Sequence, residues 1–532
     1  MKNISAVSII SLFLASVAYA GFINLPRTGQ TTCYLSSGTE MPCPGTGQDG
    51  EILAGVAWPS PRFTPNADTT ITDNLTGLIW SSDANIMPAR NPGWDLDGTQ
   101  DDGAVTWQHA LDYIAKLNTE NYLGYNDWRL PNVNELESLV SAAEANTALW
   151  LNTQGFTNVQ YFTEIQNRKY TFYWPSTTYA NGTDSAWRVN LTDGWVCATG
   201  KSVNYYVWPV RGGQHVIQPA QVWKTGQTVS YAAGDDGDLE KGITWPSPRF
   251  TPNADTTITD NLTGLIWGPD GNVMATRDSL WDGDGTAGDG AVTWQYALDY
   301  VAKLNTENYL GYNDWRLPSR KELHSLTDAS QTKPALPSGH PFTGVVGDEY
   351  YWSSTTYAYI STNAWMVLME SGLVHAYPKS ESHYVWPVRA GLHDHTDVTP
   401  GQAESIIATT PDLMIVDVRT AEEYCESGSI PGAMNLPWPD GFQERYPGLP
   451  RDAKILVVCE SGYRSNQAAT FLDHNGYLHV YDMLGGMGAW QGETAPCCST
   501  FSGVIAKYSL YNEGQVSWDE VIGCYQEYLS SN

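Results

Sequence analysis

Apolar residues at helical spacing mark two stretches that mirror each other. Ala110, Leu111, Ile114 and Leu117 lie on one face of a predicted helix from Trp107 to Leu117, and the same arrangement returns from Trp294 to Leu304. After each Arg-Leu-Pro a second helix is predicted to begin at a capping box, Asn132 with Glu135 and Ser319 with Glu322, which satisfies two orphan amides reciprocally. Tyr170 to Arg211 and Tyr350 to Arg389 are rich in Tyr, Trp, Val and Thr, with turn residues between the runs. That pattern predicts several antiparallel strands in each. Beyond Gly391 the pattern changes. Thr399-Pro400-Gly401-Gln402 opens a helix with an N-cap, a proline at the first helical position and a capping glutamine. Short apolar strands, LMIVDV from Leu413 and ILVVC ending at Cys459, are each followed by helical sequence, an alternation that predicts a parallel sheet.

The mirrored helices belong to a tandem duplication. WPSPRFTPNADTTITDNLTGLIW runs from Trp58 to Trp80 and again from Trp245 to Trp267, a shift of 187 residues; near the end of each copy the shift is 178, so the second copy lacks nine residues in between. The organisation predicted is a leader over 1–20, α+β repeats over 21–214 and 222–391, an α/β domain over 396–494 and a cysteine-containing tail over 495–532. A length of 532 residues agrees, since domains of roughly 100–200 residues imply about three to five folding units.

Charge narrows the partners. Lys plus Arg is 28 against 58 Asp plus Glu, a formal charge of −30, which excludes nucleic acid and anionic membrane as general partners through repulsion. Aromatics reach 12% and Trp (22) outnumbers Phe (11), which suits compact turn-rich domains rather than disorder or coiled coil. MKNISAVSIISLFLASVAYA has one lysine, a small and apolar run and an Ala-Tyr-Ala end before Gly21, the layout of a cleavable secretory signal. The apolar run is shorter than the ~18 residues of a membrane span, so no transmembrane anchor is expected after cleavage. The protein is expected to be exported, to the periplasm or out of the cell, where disulfides are allowed.

Eight cysteines follow the leader. Cys33 and Cys43 bracket an insertion found only in the first copy, and Cys33 aligns with Ser230; both vanish together, which predicts a disulfide worth roughly 2.8 kcal/mol in the chain-entropy model. Cys197 is a predicted buried singleton matched by His375. Cys425, Cys497, Cys498 and Cys524 are left either to tie the tail to the third domain or to resolve chemistry at Cys459. The acidic turns after Trp94 and Trp281 align Asp95, Asp97 and Asp102 with Asp282, Asp284 and Asp289. Such oxygen-rich turns suit calcium, and Asp-Gly pairs equally suit plain tight turns; no other cofactor is expected.

Cys459 ends an apolar strand, and Glu460-Ser461-Gly462-Tyr463-Arg464-Ser465 leads into a helix. Amides and dipole at a helix N-terminus favour a thiolate there. Lowering a thiol pKa by about two units takes roughly 2.7 kcal/mol, which two charge-assisted N–H bonds of about 1.5–3 kcal/mol each would supply. The alternative is an inert buried strand cysteine.

Two resemblances sharpen these expectations. TGLIW (Thr76 to Trp80), DWRLPNVNEL (Asp127 to Leu136), YWPSTTYA (Tyr173 to Ala180) and VWPVRGG (Val207 to Gly213) resemble the family typified by the C-terminal domain of the Legionella collagen-like protein, over Thr28 to Gly213 and Thr225 to Gly391. That resemblance implies a C-type-lectin-like architecture and an adhesive role on glycan or cell-envelope material. IVDVRTAEEY (Ile415 to Tyr424), GSIPGAMNLP (Gly428 to Pro437), CESGYRS (Cys459 to Ser465) and LGGMGAW (Leu484 to Trp490) resemble the rhodanese family. It implies that Cys459 takes sulfane sulfur from a small donor as a persulfide and passes it to a nucleophilic acceptor. Ser429 stands where the family usually has His. The loop is C-x4-R, one residue shorter than in the related phosphatases, so a persulfide fits better than a phosphate. Arg464 and the loop amides are expected to hold an anionic donor such as thiosulfate, and Asp417 and Arg419 to support the fold by ion pairing. The competing function is a surface adhesion protein whose third domain is catalytically silent.

Overall fold

A computed structural model describes residues 23–94, 102–163, 171–212, 220–281, 288–389, 395–439, 442–450, 453–474, 477, 479–495, 504–505, 507–508 and 518–531. The leader over 1–20 lies outside them. The paired helices form as the periodicity predicts, at Trp107–Thr119 and Trp294–Thr306, and both bury the apolar stripe. Both capping boxes are made, at the heads of Val133–Glu137 and Arg320–Ser325.

Each copy folds its two ends into one small sheet. Val210–Gly212 closes the meander Phe63–Pro65, Thr70–Asp73 and Leu78–Ser81, and Val388–Arg389 closes Phe250–Pro252, Ile258–Asp260 and Ile266–Trp267. A second sheet has eight strands and runs through both copies. Its central contact pairs Val196 antiparallel with Val374. Those residues are each other's duplicates at the shift of 178, so the two copies meet about a local two-fold axis. One apolar cluster takes Trp80, Trp187 and Trp208 from the first copy and Trp267, Trp365 and Trp386 from the second. Eleven of the 22 tryptophans are fully enclosed, so much of the aromatic excess is core material.

The copies also exchange their leading arms. Gln30, from the first arm, donates to the Thr356 carbonyl and accepts from its amide, both at 2.8 Å. Asp49 Oδ2 accepts from Thr28 at 2.7 Å and from Thr355 of the second copy at 2.6 Å. The second arm returns the arrangement onto the first copy: Gln227 bonds both backbone groups of Thr178 at 2.9 Å, and Asp236 accepts from Thr225 and Thr177 at 2.7 Å. Boundaries near 214 and 222 therefore divide the repeats in sequence but not in packing. An ion cluster closes the seam between them. Arg320 Nη2 donates to Glu137 Oε1 at 2.9 Å and His324 Nδ1 lies 3.4 Å from Glu137 Oε2, with all three side chains buried. Burial pushes the Glu137 carboxyl up, but Arg320 and His324 outweigh it and hold the group well below the usual carboxylate range.

The third domain has the predicted parallel sheet, in the order Thr396–Val398, His479–Met483, Lys454–Val458, Met414–Asp417, Met434–Asn435. Ile455 and Val457 point to one apolar cluster and Leu456 and Val458 to another, so the central strand is covered on both faces and reads as a continuous hydrophobic run. Among the described residues no helix is long and apolar enough to cross a membrane.

Candidate functional site

Cys459 follows the central parallel strand directly and is free and fully enclosed. The backbone turns at Gly462 (φ +91°), whose N–H donates to Cys459 Sγ at 3.2 Å, and the helix Tyr463–His474 starts one residue later. Ser465, buried in the first turn of that helix, donates to the Gly462 carbonyl at 3.2 Å. Glu460 and Ser461 face solvent, and the Tyr463 side chain lies outside the described residues.

The segment after the last parallel strand braces this loop from behind. Met487 N–H donates to the Cys459 carbonyl at 2.7 Å, and Gly488 N–H to the Glu460 carbonyl at 2.9 Å. Gly486 makes the approach feasible: its φ is +57°, and a Cβ there would lie 2.2 Å from the Cys459 carbonyl oxygen.

Asp417 and Arg419 form the expected buried ion pair. Arg419 Nη2 donates to Asp417 Oδ2 at 2.8 Å and its Nε contacts both carboxylate oxygens at 3.1 Å. The same guanidinium reaches the Gly428 carbonyl at 2.6 Å and Glu460 at 3.3 Å, which links the Asp417 loop to the cysteine loop. Burial opposes the charged form of Arg419, but Asp417 and Glu460 win and raise its pKa. Ser429, at the histidine-like position, donates to Asp417 Oδ2 at 2.6 Å.

Arg464 is placed differently from the expectation. Its two terminal nitrogens grip Glu423 in a bidentate pair, both at 2.6 Å. The Arg464 hydrogen bond is the main cause that depresses the Glu423 pKa to about 2, and Glu423 in turn is the main cause that raises Arg464, to which the nearby Cys459 adds. Glu423 belongs to the short helix Ala421–Glu426, where it also caps Thr420 N–H at 2.9 Å. Sequence exposes the cap, through Thr-x-x-Glu, but not the grip on Arg464. Gly486, Glu137, Arg320 and His324 are further structural residues that the sequence reading passed over.

Cys33 and Cys43 are joined by a disulfide, and Cys197 is a buried thiol. Cys425 and Cys524 are each disulfide-bonded, whereas Cys497 and Cys498 lie outside the described residues. With Cys33 paired to Cys43, and Cys197 and Cys459 present as thiols, the partner of Cys425 is one of the tail cysteines. The tail is thereby tied to the third domain. Asp102 and Asp289 each accept the amide two residues on, at 2.8 and 2.9 Å, as in an ordinary Asx turn. Asp95, Asp97, Asp282 and Asp284 lie outside the described residues, and no group of three metal-type ligands occurs among those described.

Comparison with known proteins matches the Lcl C-terminal domain at 69–211 and again at 256–389, and a rhodanese-like domain at 399–493. A sulfurtransferase of Allochromatium vinosum is 37% identical over 90 residues, 17% of this chain and 82% of that protein. The putative sulfurtransferase YtwF of Bacillus subtilis is 34% identical over 100 residues, 19% of this chain and 94% of that protein. The crystal structure of a rhodanese-like domain protein from Staphylococcus aureus is 30% identical, covering 18% of this chain and 93% of that one, with a TM-score of 0.17.

Proposed function

The chain belongs to the Lcl C-terminal domain family and carries a rhodanese-like domain of the sulfurtransferase family, and from that premise we propose that it is an exported sulfur carrier. Cys459 takes up sulfane sulfur and hands it on. The observation that carries this reading is a free cysteine at the end of a buried parallel strand, with an amide aimed at its sulfur at 3.2 Å where a helix begins. In the first step the Cys459 thiolate attacks the outer sulfur of the donor. The donor's S–S bond breaks, its electron pair leaves with the remainder, and Cys459 holds a persulfide. In the second step a nucleophile takes the terminal sulfur and restores the thiolate. The Gly462 amide faces the sulfur that gains and loses charge in both steps. Glu460, Ser461, Gly462, Tyr463, Arg464 and Ser465 make up the loop around it, with Asp417 and Arg419 fixing its flank.

Export is supported by the leader-like first twenty residues and by disulfides at Cys33–Cys43, Cys425 and Cys524, which persist in an oxidising compartment. The repeats, C-type-lectin-like in this reading, bind glycan or envelope material, and a glycan array probed with the full chain tests that half. For the enzymatic half, full chain is incubated with sulfane-sulfur donors and then with cyanide. Wild type gains one sulfur atom on Cys459 by mass spectrometry and releases thiocyanate, while Cys459→Ala does neither. A wild type as silent as the variant rejects the sulfur-carrier reading and leaves the adhesion protein with an inert third domain.

A further inference from the structure

We infer that the Cys459 site selects a sulfur donor of low charge, an organic hydropersulfide R–S–SH, over dianionic thiosulfate, and that Glu423 sets this choice. The inference rests on Cys459 being a sulfur carrier and adds the class of donor.

Two guanidiniums stand near the cysteine loop, and both are committed. Arg464 holds Glu423 with two bonds of 2.6 Å, the fork-to-fork geometry in which a guanidinium matches a carboxylate best. Arg419 is divided among Asp417, the Gly428 carbonyl and Glu460. Counted together, Asp417, Glu423 and Glu460 supply three negative charges against two positive ones. The group is net negative before Cys459 ionises, and no further cation joins it through an ion pair among the described residues. Glu460 is half exposed beside the cysteine, so its charge meets whatever approaches. A dianion arriving here meets repulsion from the carboxylates and from the thiolate it must react with. A site that rejects one donor by misplaced charge and accepts another gains specificity without any contact to the favoured molecule.

The favoured step balances without a co-reactant. The Cys459 thiolate attacks the terminal sulfur of R–S–SH and a new S–S bond forms. The donor's S–S bond breaks with its electron pair on R–S⁻, and the proton stays on the transferred sulfur, giving Cys459–S–SH. Sulfite never forms. With the donor protonated, as this step requires, the reacting pair carries one negative charge throughout, against three for thiosulfate with the thiolate.

The test measures the rate at which full chain gains sulfur on Cys459 from two probes, thiosulfate and the hydropersulfide of N-acetylcysteine methyl ester, whose only ionisable group is the –SSH itself and which therefore carries one negative charge at most. Wild type loads from the hydropersulfide about tenfold faster or more, and its thiosulfate rate rises with added salt as like charges are screened. Glu423→Gln releases the Arg464 fork for the sulfonate end of thiosulfate. A charge-assisted bond regained there moves the ratio of the two rates toward thiosulfate by roughly tenfold. Thiosulfate loading wild type as fast as the hydropersulfide, with a rate that falls as salt rises, overturns the inference while leaving Cys459 a sulfur carrier. Loading from neither probe overturns the carrier reading itself. The salt dependence is read on wild type alone, so the outcome does not hang on the variant folding.

Discussion

Replacing Asp49 and Asp236 with asparagine should reshape the pH dependence of the repeats' stability. Each carboxyl sits where a leading arm crosses to the other copy, 1% and 2% exposed, and accepts two threonine hydroxyls. Burial raises Asp49 from an ordinary 3.8 to about 6 and Asp236 to about 7; the threonine bonds only soften the rise. A folded pKa above the unfolded one means that the folded chain holds the proton more tightly. The resulting stabilisation is complete below the unfolded value and disappears as pH climbs through the folded one. At about 1.4 kcal/mol per unit, the loss by about pH 8 is about 3 kcal/mol at Asp49 and about 4 kcal/mol at Asp236. His383, which burial lowers to about 4, acts in the opposite sense over the acid range, so the wild-type curve mixes both. The difference between wild type and the double asparagine variant isolates the carboxyls. Urea unfolding of full chain, followed by tryptophan fluorescence at about pH 5 and about pH 8, should show the variant gaining several kcal/mol relative to wild type at the higher pH. A difference that stays constant across that range would refute the picture of two desolvated acids in exchanged arms.

Three other perturbations have definite outcomes. Gly486→Ala forces a methyl to within 2.2 Å of the Cys459 carbonyl in a left-handed conformation, and should lower the third domain's stability by about 2 kcal/mol or more while slowing sulfur loading. Calorimetry should show the repeats' transition unmoved. Glu137→Gln leaves the enclosed Arg320 guanidinium without its carboxylate, and should cost the repeats about 3–5 kcal/mol in chemical denaturation. Cys33→Ser opens the arm's loop and should cost roughly 3 kcal/mol, with reductant losing its own effect at that site in the variant.

Local pattern made the duplication, the paired helices, their capping boxes and the parallel sheet legible, because each depends on residues close in sequence. The arm exchange was not. Thr28-Gly-Gln and Thr225-Gly-Gln are identical, as are the Thr-Thr segments that receive them, so docking within a copy and docking across copies leave the same trace in the chain. Only the spatial relation of the copies decides between them. At the third domain, C-x4-R places Arg464 beside the cysteine loop but says nothing of its rotamer. Glu423 captures it from a helix forty-one residues earlier, a partner that no local spacing signals.

The copies did carry one readable sign of their partnership, in the places where duplication stops being exact. Along the capped helix Val133, Asn134 and Glu137 face Arg320, Lys321 and His324 in the alignment, and all six are buried. Buried charge is tolerated when paired and costly when alone. The two-fold relation brings Arg320 of one copy to Glu137 of the other. Two second copies paired in the same way would set Arg320 against His324, and two first copies would enclose Glu137 beside Val133, each leaving charge uncompensated. The divergence therefore favours the mixed pair over either matched one, as specificity by exclusion requires. The front half of the chain is consequently one folding unit made of two unlike halves. A ligand of this unit would meet a surface that neither repeat presents alone, and truncation between the repeats removes the arm that completes each of them and tests nothing about a single module.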